Sequence, residues 1–538
     1  MTNDPALHPA EERLLDAALA QHFAAAPSMP RVATGSSRWL AAALVLLGLG
    51  VVTSIWAVTS TDSEVAAQQP EPLPLPPEVM ATGKTEIERL PLTTENLLAR
   101  FVDPTELPVI TRLPKLRGLR LWAKPGAVRS ALLLHTAWSN PPADLLQPLA
   151  KLPHLEVLGL ADELALSPGL LAPLAGHPTL HEIQLVRSNF VLDDAMVASL
   201  ARIPQLRSLD LRFVPLSSSV IRCLAKLPLT SLRFDYCQGL DAEGWQALLT
   251  MRNLRRLTFR DWSWNFQAAR IVDPPAWRPT IDDLRQLQQL PHLRSLELLG
   301  CDIDDEQFAA LPDTLTTLRV SGTRLTPEGI VALRRCLALR ELMFSAKTDD
   351  RMASLFAPES DDHANAFAAA IEPLRLHTLD YRGALTTDVI AALGAQRNLR
   401  KLQVTSKQAA AGEAGAMIRR LELRQLVWHA ALSTEVINAV AVQPELRELE
   451  LHADAIHDIS ALAKAPKLER LTLSQTTIGN GIPASVLEPL AQSTTLREIA
   501  VHVSIARGEP HPSEPDLQLA VGERIRVRLH ETEFTVRK

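Results

Sequence analysis

The pattern Leu-x-x-Leu-x-Leu recurs fifteen times in this 538-residue chain, and nothing else in the sequence restricts the fold as strongly. Its first positions are Leu116, Leu155, Leu180, Leu206, Leu229, Leu254, Leu293, Leu315, Leu339, Leu376, Leu399, Leu423, Leu446, Leu468 and Leu496. Ile, Val, Phe, Tyr or Trp sometimes replaces a later Leu. Most successive spacings fall between 22 and 28 residues. Self-similarity at such a period marks stacked units, each too small to bury its own apolar face. The gaps after Leu116, Leu254 and Leu339 are longer. The first is expected to hold a degenerate repeat near "VRSALLL", and the other two carry insertions.

Each unit reads as strand, turn, helix, turn. The residues three and five after the first Leu share one face of a short strand. Apolar residues also recur nine and six positions before the first Leu, as in Val197/Leu200, Trp245/Leu248, Ile330/Leu333 and Ile390/Leu393. A separation of three is one face of a helical turn. Helix-start chemistry precedes several of these pairs: Thr326 stands before Pro327 and Glu328, and Ser433 before Thr434 and Glu435.

The four cysteines fit the same frame. Cys237 and Cys301 lie eight residues after a first Leu, Cys223 six before one and Cys336 three before one, all slots of the repeat core. No C-x-x-C pair suggests a zinc site or a disulfide scaffold. The acids after Cys301 (Asp302, Asp304, Asp305, Glu306) open a helix, where the dipole favours negative charge, so neither a metal nor a nucleophile is assigned there.

Over roughly residues 107–503 the chain resembles the leucine-rich repeat family. Segments such as "GTRLTPEGIVAL" and "GCDIDDEQFAAL" resemble its bacterial variety of roughly 24 residues with Thr or Cys in the ladder slot. The resemblance implies an α/β solenoid, with a curved parallel sheet on the concave side and helices on the convex side. It further implies a scaffold for protein or peptide ligands and no catalytic residues. The solenoid is expected over 85–504, with residues 85–112 as its cap on the strength of Leu97, Leu98 and Phe101 at helical spacing. A β-hairpin over 505–538 is expected to close the other end, from the alternation of Ile525, Val527 and Leu529. Of the aromatics in the insert after Leu254, Trp262 and Trp264 hold core slots, and Phe266 and Trp277 are expected to pack on the solenoid. The insert around 346–367 is expected to be a mobile loop.

Ahead of the repeats, residues 39–58 ("WLAAALVLLGLGVVTSIWAV") carry no charge and are long enough to cross a bilayer as a helix. The expectation is a single-pass transmembrane helix over 38–60, acting as an uncleaved signal anchor. Arg31 and Arg38 flank it on the amino side, Asp62 and Glu64 on the other. This places residues 1–37 in the cytoplasm and the repeats on the periplasmic or extracellular side of the inner membrane. A Pro-rich linker is expected over 61–84. The stub "EERLLDAALAQHF" is expected to form an amphipathic helix and resembles the amino-terminal segments of bacterial membrane-bound sigma-factor regulators, without their zinc-binding His/Cys motif.

Strand residues between the buried leucines face the concave side. One column, six positions after each first Leu, includes Arg212, Asp235, Arg260, Arg382, His429, His452 and His502, with Glu450 on the same face. These are the candidate ligand contacts. His429 and His452 belong on adjacent strands about 5 Å apart. A metal there lacks a third ligand fixed by spacing, so no metal or other cofactor is assigned. A net charge of −6 leaves no basic footprint for nucleic acid. No Walker loop, G-x-S-x-G, H-E-x-x-H or dinucleotide fingerprint occurs. The expected function is a membrane-anchored, non-enzymatic interaction scaffold. The alternatives are a transmembrane regulator acting through the stub and a metal-dependent hydrolase using the histidine column.

Overall fold

The computed structural model describes residues 75–534 except 77, 102–103, 124–143, 162–167, 187–191, 238, 261–278, 302, 322–323, 346–360, 407–410, 454–455, 476–481 and 507–512. All fifteen first-position leucines are at most 2% exposed. The partners three residues on, from Leu119 to Ile499, lie in register across the sheet. So do those five residues on, from Leu121 to Val501. Among the described residues eighteen strands form one sheet, and every strand pairs in parallel with the next in chain order. Helical turns return the chain between them, among them Asp194–Leu200, Ser218–Leu224, Ala242–Leu248 and Thr434–Ala441. A single apolar cluster runs from Ala81 to Val527. Strands sit about 4.8 Å apart while packed helices need about 8–10 Å, so the stack curves with its strands inside.

The helix starts follow the expected chemistry. Thr326 Oγ1 accepts the Gly329 N–H at 3.3 Å, and Ser433 Oγ accepts that of Val436 at 3.3 Å. Asp304 caps its helix by accepting from Gln307 N at 2.9 Å. Asp305 reaches the next coil, where its carboxylate accepts from Thr326 N at 2.8 Å and Thr326 Oγ1 at 2.6 Å. Cys301 Sγ donates to the Phe259 carbonyl and Cys237 Sγ to that of Leu211. Burial pushes the Cys237 thiol well up, so it acts as a ladder donor and not a nucleophile. Cys223 is only partly buried.

Several expectations are corrected. Among the described residues no helix is long and apolar enough to cross a membrane, and residues 39–58, like the stub before them, lie outside that set. Among the described residues the fold is a solenoid with no membrane-crossing helix, so the expected anchor, single-pass topology and inner-membrane location gain no support from it. Leu97 and Leu98 belong to a strand, Asn96–Phe101, because Leu97 and Ala99 occupy the inward slots of an additional repeat whose first position is Thr94. A further strand, Val79–Thr82, precedes it within the expected linker. At the other end there is no hairpin. Helix Glu514–Val521 carries the chain over to strand Arg526–Phe534, which adds in parallel to Glu498–Ala506. The insert expected to be a loop ends in helix Asp361–Ile371, whose buried Phe367 stacks between Phe344 and Tyr381 at 5.0 and 4.7 Å. The expected repeat near 128–134 and Trp262, Trp264, Phe266 and Trp277 lie outside the described residues.

The slot three before the first Leu is apolar in several coils, yet it holds His177, Gln396, Gln443 and Ser493, all buried. Each makes at least one hydrogen bond to backbone. Gln443 reaches into the preceding coil, donating to Ile418 O at 2.6 Å and accepting from Leu423 N at 3.3 Å; Gln396 does the same with Ile371 O and Leu376 N. His177 Nδ1 accepts from Leu180 N and Ser493 Oγ from Leu496 N. Burial lowers His177 below its ordinary value of 6.5, against the backbone carbonyls of Leu152 and Leu149, so the imidazole is neutral in the folded chain.

Two outcomes follow from these contacts. Gln443→Ala strands a buried N–H and a buried carbonyl and should cost about 2–3 kcal/mol, read as a lower urea midpoint. An unfolded His177 takes up a proton more readily than the folded one, so its contribution weakens as pH falls through the ordinary histidine range. His177→Gln, a non-titrating acceptor, should flatten the fall in thermal midpoint between pH 7.5 and 5.5.

Candidate functional site

Residues two, four and six positions after each first Leu line the inner face of the sheet in three columns. Parallel, in-register pairing turns each column into a row of side chains one strand apart. The sixth-position column contains all the expected contacts but one, and Glu450 belongs to the fourth-position column. The column does not form one site. It divides into a charged centre at Arg212, Asp235 and Arg260, an isolated Arg382, and a histidine group.

In the charged centre Arg212, Asp235 and Arg260 are consecutive register partners. Asp235 is 2% exposed. Arg212 Nε stands 3.7 Å from its Oδ2, and Arg233 Nε and Arg260 Nε stand 3.6 and 3.9 Å from its Oδ1. Arg212 is held in place by Asp210, to which its Nη2 donates at 2.6 Å. Arg233 pairs in turn with Glu297 at 3.2 Å, and Glu297 with Arg319 at 3.6 Å. Burial raises the Asp235 carboxyl above its ordinary value even though Arg233, Arg260 and Arg212 pull it down. Burial alone would lower Arg212, but its hydrogen bond with Asp210 and the surrounding carboxylates leave it raised. Desolvation thus outweighs attraction at Asp235, and the fold keeps this carboxyl buried at some cost.

Beside this centre, Phe213 and Tyr236 follow directly after their strands. Both have left-handed backbone, φ 56° and 53°, and their rings stack at 4.9 Å. The corresponding position after strand Ser295–Leu299 is Gly300, φ 68°, which adopts this conformation without a Cβ penalty. In Phe and Tyr it costs on the order of 1 kcal/mol each. Their N–H groups donate to Asp235 O and Arg260 O, both at 2.8 Å. The aromatic ledge and the fourth-position members Asp210, Arg233 and Glu297 were missed in the sequence. The signal was there: an aromatic seven positions after Leu206 and Leu229, and charges two residues before Arg212 and Asp235.

Arg382 pairs with Asp380 on its own strand at 3.1 Å and stands two strands away from His429, with Thr405 between. His429 and His452 are register partners whose ring centroids lie 3.3 Å apart. His452 Nε2 is 2.5 Å from Glu450 Oε1, and His429 Nε2 is buried without a hydrogen-bond partner. Burial, then the charge of His452, pushes His429 down to about 3 against the pull of Glu450. Burial would raise Glu450, but the hydrogen bond from His452 and the charges of His452, His429 and His502 hold it below the usual carboxylate range. Ser474 separates this group from His502, which stacks on His530 at 4.5 Å. Among the described residues, His429, Glu450 and His452 are the one group of three His, Cys, Asp or Glu side chains whose donor atoms lie close enough to share an ion, all within 4.8 Å of one another.

A family profile described as "Leucine Rich repeat" matches residues 289–306 and 313–333, which include strands Ser295–Leu299 and Thr317–Ser321 and helix Pro327–Ile330. The fold is leucine-rich-repeat-like. Among solved structures the chain is similar to an internalin from Listeria monocytogenes at 15% identity and a TM-score of 0.35, over 69% of this chain and 90% of that one. No curated protein matches it significantly.

Because desolvation exceeds attraction at Asp235, Asp235→Asn should leave the thermal midpoint unchanged or raise it. A lowered midpoint would mean that the three guanidiniums do stabilise the ionised carboxylate.

Proposed function

We propose that the protein recognises a protein or peptide ligand on the inner face of its sheet, that it does so by binding and not by catalysis, and that the ligand presents acidic side chains to the Arg212–Asp235–Arg260 centre. The observation carrying this reading is a buried Asp235 kept among three arginines beside two bulky residues in left-handed backbone. A fold that retains unfavourable electrostatics and local backbone strain at one place on an exposed face has the signature of a site shaped for contact.

The chemistry supports the ligand class. Arg212, Arg233, Arg260 and Arg319 stand against Asp210, Asp235 and Glu297, and guanidiniums match carboxylates in two-point hydrogen bonding. Asp235 and Asp210 orient the forks and can be outcompeted in part by an incoming acid. The stacked Phe213 and Tyr236 add a flat apolar ledge of the kind enriched in recognition surfaces. We further place the repeats in the roughly 24-residue bacterial variety with Cys or Thr in the ladder slot; the sulfhydryl donors of Cys237 and Cys301 support that assignment.

The test uses the full chain on an array of peptides of graded charge. Acidic peptides should be retained, and the Arg212→Glu/Arg260→Glu double variant should lose at least about tenfold in affinity, the scale of one well-placed charged contact. Equal retention by the variant, or no preference for acidic peptides, would overturn the reading.

A further inference from the structure

Seven strands from the charged centre, the geometry points to a site of different chemistry. We propose that His429, Glu450 and His452 bind one divalent transition-metal ion of the zinc class on the inner face of the sheet, with a coordination position open to a further ligand.

The backbone sets the three groups before any ion arrives. His429 ends strand Gln425–His429, and His452 is its register partner on strand Glu448–Ala453. Glu450 lies two residues before His452, so strand alternation puts it on the same face. The donor atoms already fall within 4.8 Å of one another. A tetrahedral ion with bonds of about 2.0–2.1 Å needs donors about 3.4 Å apart, a difference that side-chain rotation closes without moving a strand. The present side-chain arrangement is a poor one for the residues alone. The imidazoles sit closer than the 4.5–7 Å usual for ring pairs, and the buried His429 Nε2 has no partner. One ion bonded to both imidazoles and the carboxylate would satisfy that nitrogen and hold the two rings apart.

The donor set selects the ion. Two imidazoles and one carboxylate suit zinc, cobalt, nickel or copper, whereas magnesium and calcium require mostly oxygen and more ligands. Three protein donors leave the fourth tetrahedral position facing the concave side, where water or a ligand side chain can enter. The same column supplies an internal contrast. His502 and His530 are also adjacent register partners, but the positions matching Glu450 on their strands are Ala500 and Arg528. That pair has no carboxylate and a cation beside it, so the proposal does not extend to it.

The test begins with the full chain, treated with EDTA and exchanged into chelator-free buffer, then titrated calorimetrically with zinc sulfate. One zinc ion per chain is expected, and cobalt chloride should give the visible absorption of a four- or five-coordinate ion. His429→Gln, Glu450→Gln and His452→Gln should each weaken zinc binding at least about tenfold, while the His502→Gln/His530→Gln double variant and millimolar magnesium or calcium leave it unchanged. Circular dichroism and the thermal midpoint check the fold of each variant. Should either His429→Gln or His452→Gln unfold, the part-exposed Glu450→Gln decides the outcome. No zinc binding by the wild-type chain, binding indifferent to all three substitutions, or binding lost only in the His502/His530 variant would overturn the proposal.

Discussion

The structure depends on coverage of one coil by the next. A lone strand-turn-helix unit of this size cannot bury its own apolar face; stacked, each inward Leu contributes about 1.5–3 kcal/mol before the ordering cost is subtracted. The backbone repeats the same dependence. The carbonyl one residue after a first Leu accepts two N–H groups from the following coil, as Arg117 O does from Glu156 N and Val157 N at 2.7 and 3.0 Å, and Glu469 O from Arg497 N and Glu498 N. Gln396 and Gln443 add side-chain ties of the same sense, donating to carbonyls of the preceding coil. Cooperativity in such a stack is passed from neighbour to neighbour, with no central core to hold distant coils together.

The interior was readable from sequence because burial there is specified by residue type. Every first-position Leu assigned from the pattern is buried, and the helix caps at Thr326 and Ser433 follow their local chemistry. The ends were not readable for a physical reason. In the outer coils the first slot is filled by Thr94 and Arg524 in place of Leu. Arg524 meets the turn through its guanidinium, donating to Ala491 O at 3.1 Å and also to Ser493 O. With the leading Leu gone, Leu97 and Leu98 mimic a helix face, and Val527 and Leu529 mimic a hairpin strand. The buried glutamines were equally invisible, since their partners are backbone atoms of another coil. The membrane anchor came from hydropathy in residues 39–58. The helices among the described residues are short solenoid turns, and nothing in them carries that reading forward.

The candidate site was legible as a column and not as chemistry. Alternation and register placed Arg212, Asp235, Arg260, Arg382, His429 and His452 in line on one face, and the structure keeps them there. What the line does not disclose is grouping, because that depends on the neighbouring columns. Asp210, Arg233 and Glu297 gather the arginines around Asp235. Asp380 holds Arg382 apart. Glu450 joins the two histidines, whereas Arg528 stands where a carboxylate would join His502 and His530. Residues two positions away in sequence decide the character of each member.

In-register parallel pairing also acts as a ruler. Rungs repeat about every 4.8 Å across the sheet, whereas an extended peptide presents successive same-side residues about every 6.8 Å. The two spacings come back into phase after about seven rungs, near 34 Å. That is the interval from strand Ser231–Asp235 to strand Gln425–His429. A partner strand laid crosswise could touch the arginine centre and the histidine group in matching phase with about ten residues from one to the other. One laid lengthwise, parallel to a single rung, could reach only one of the two.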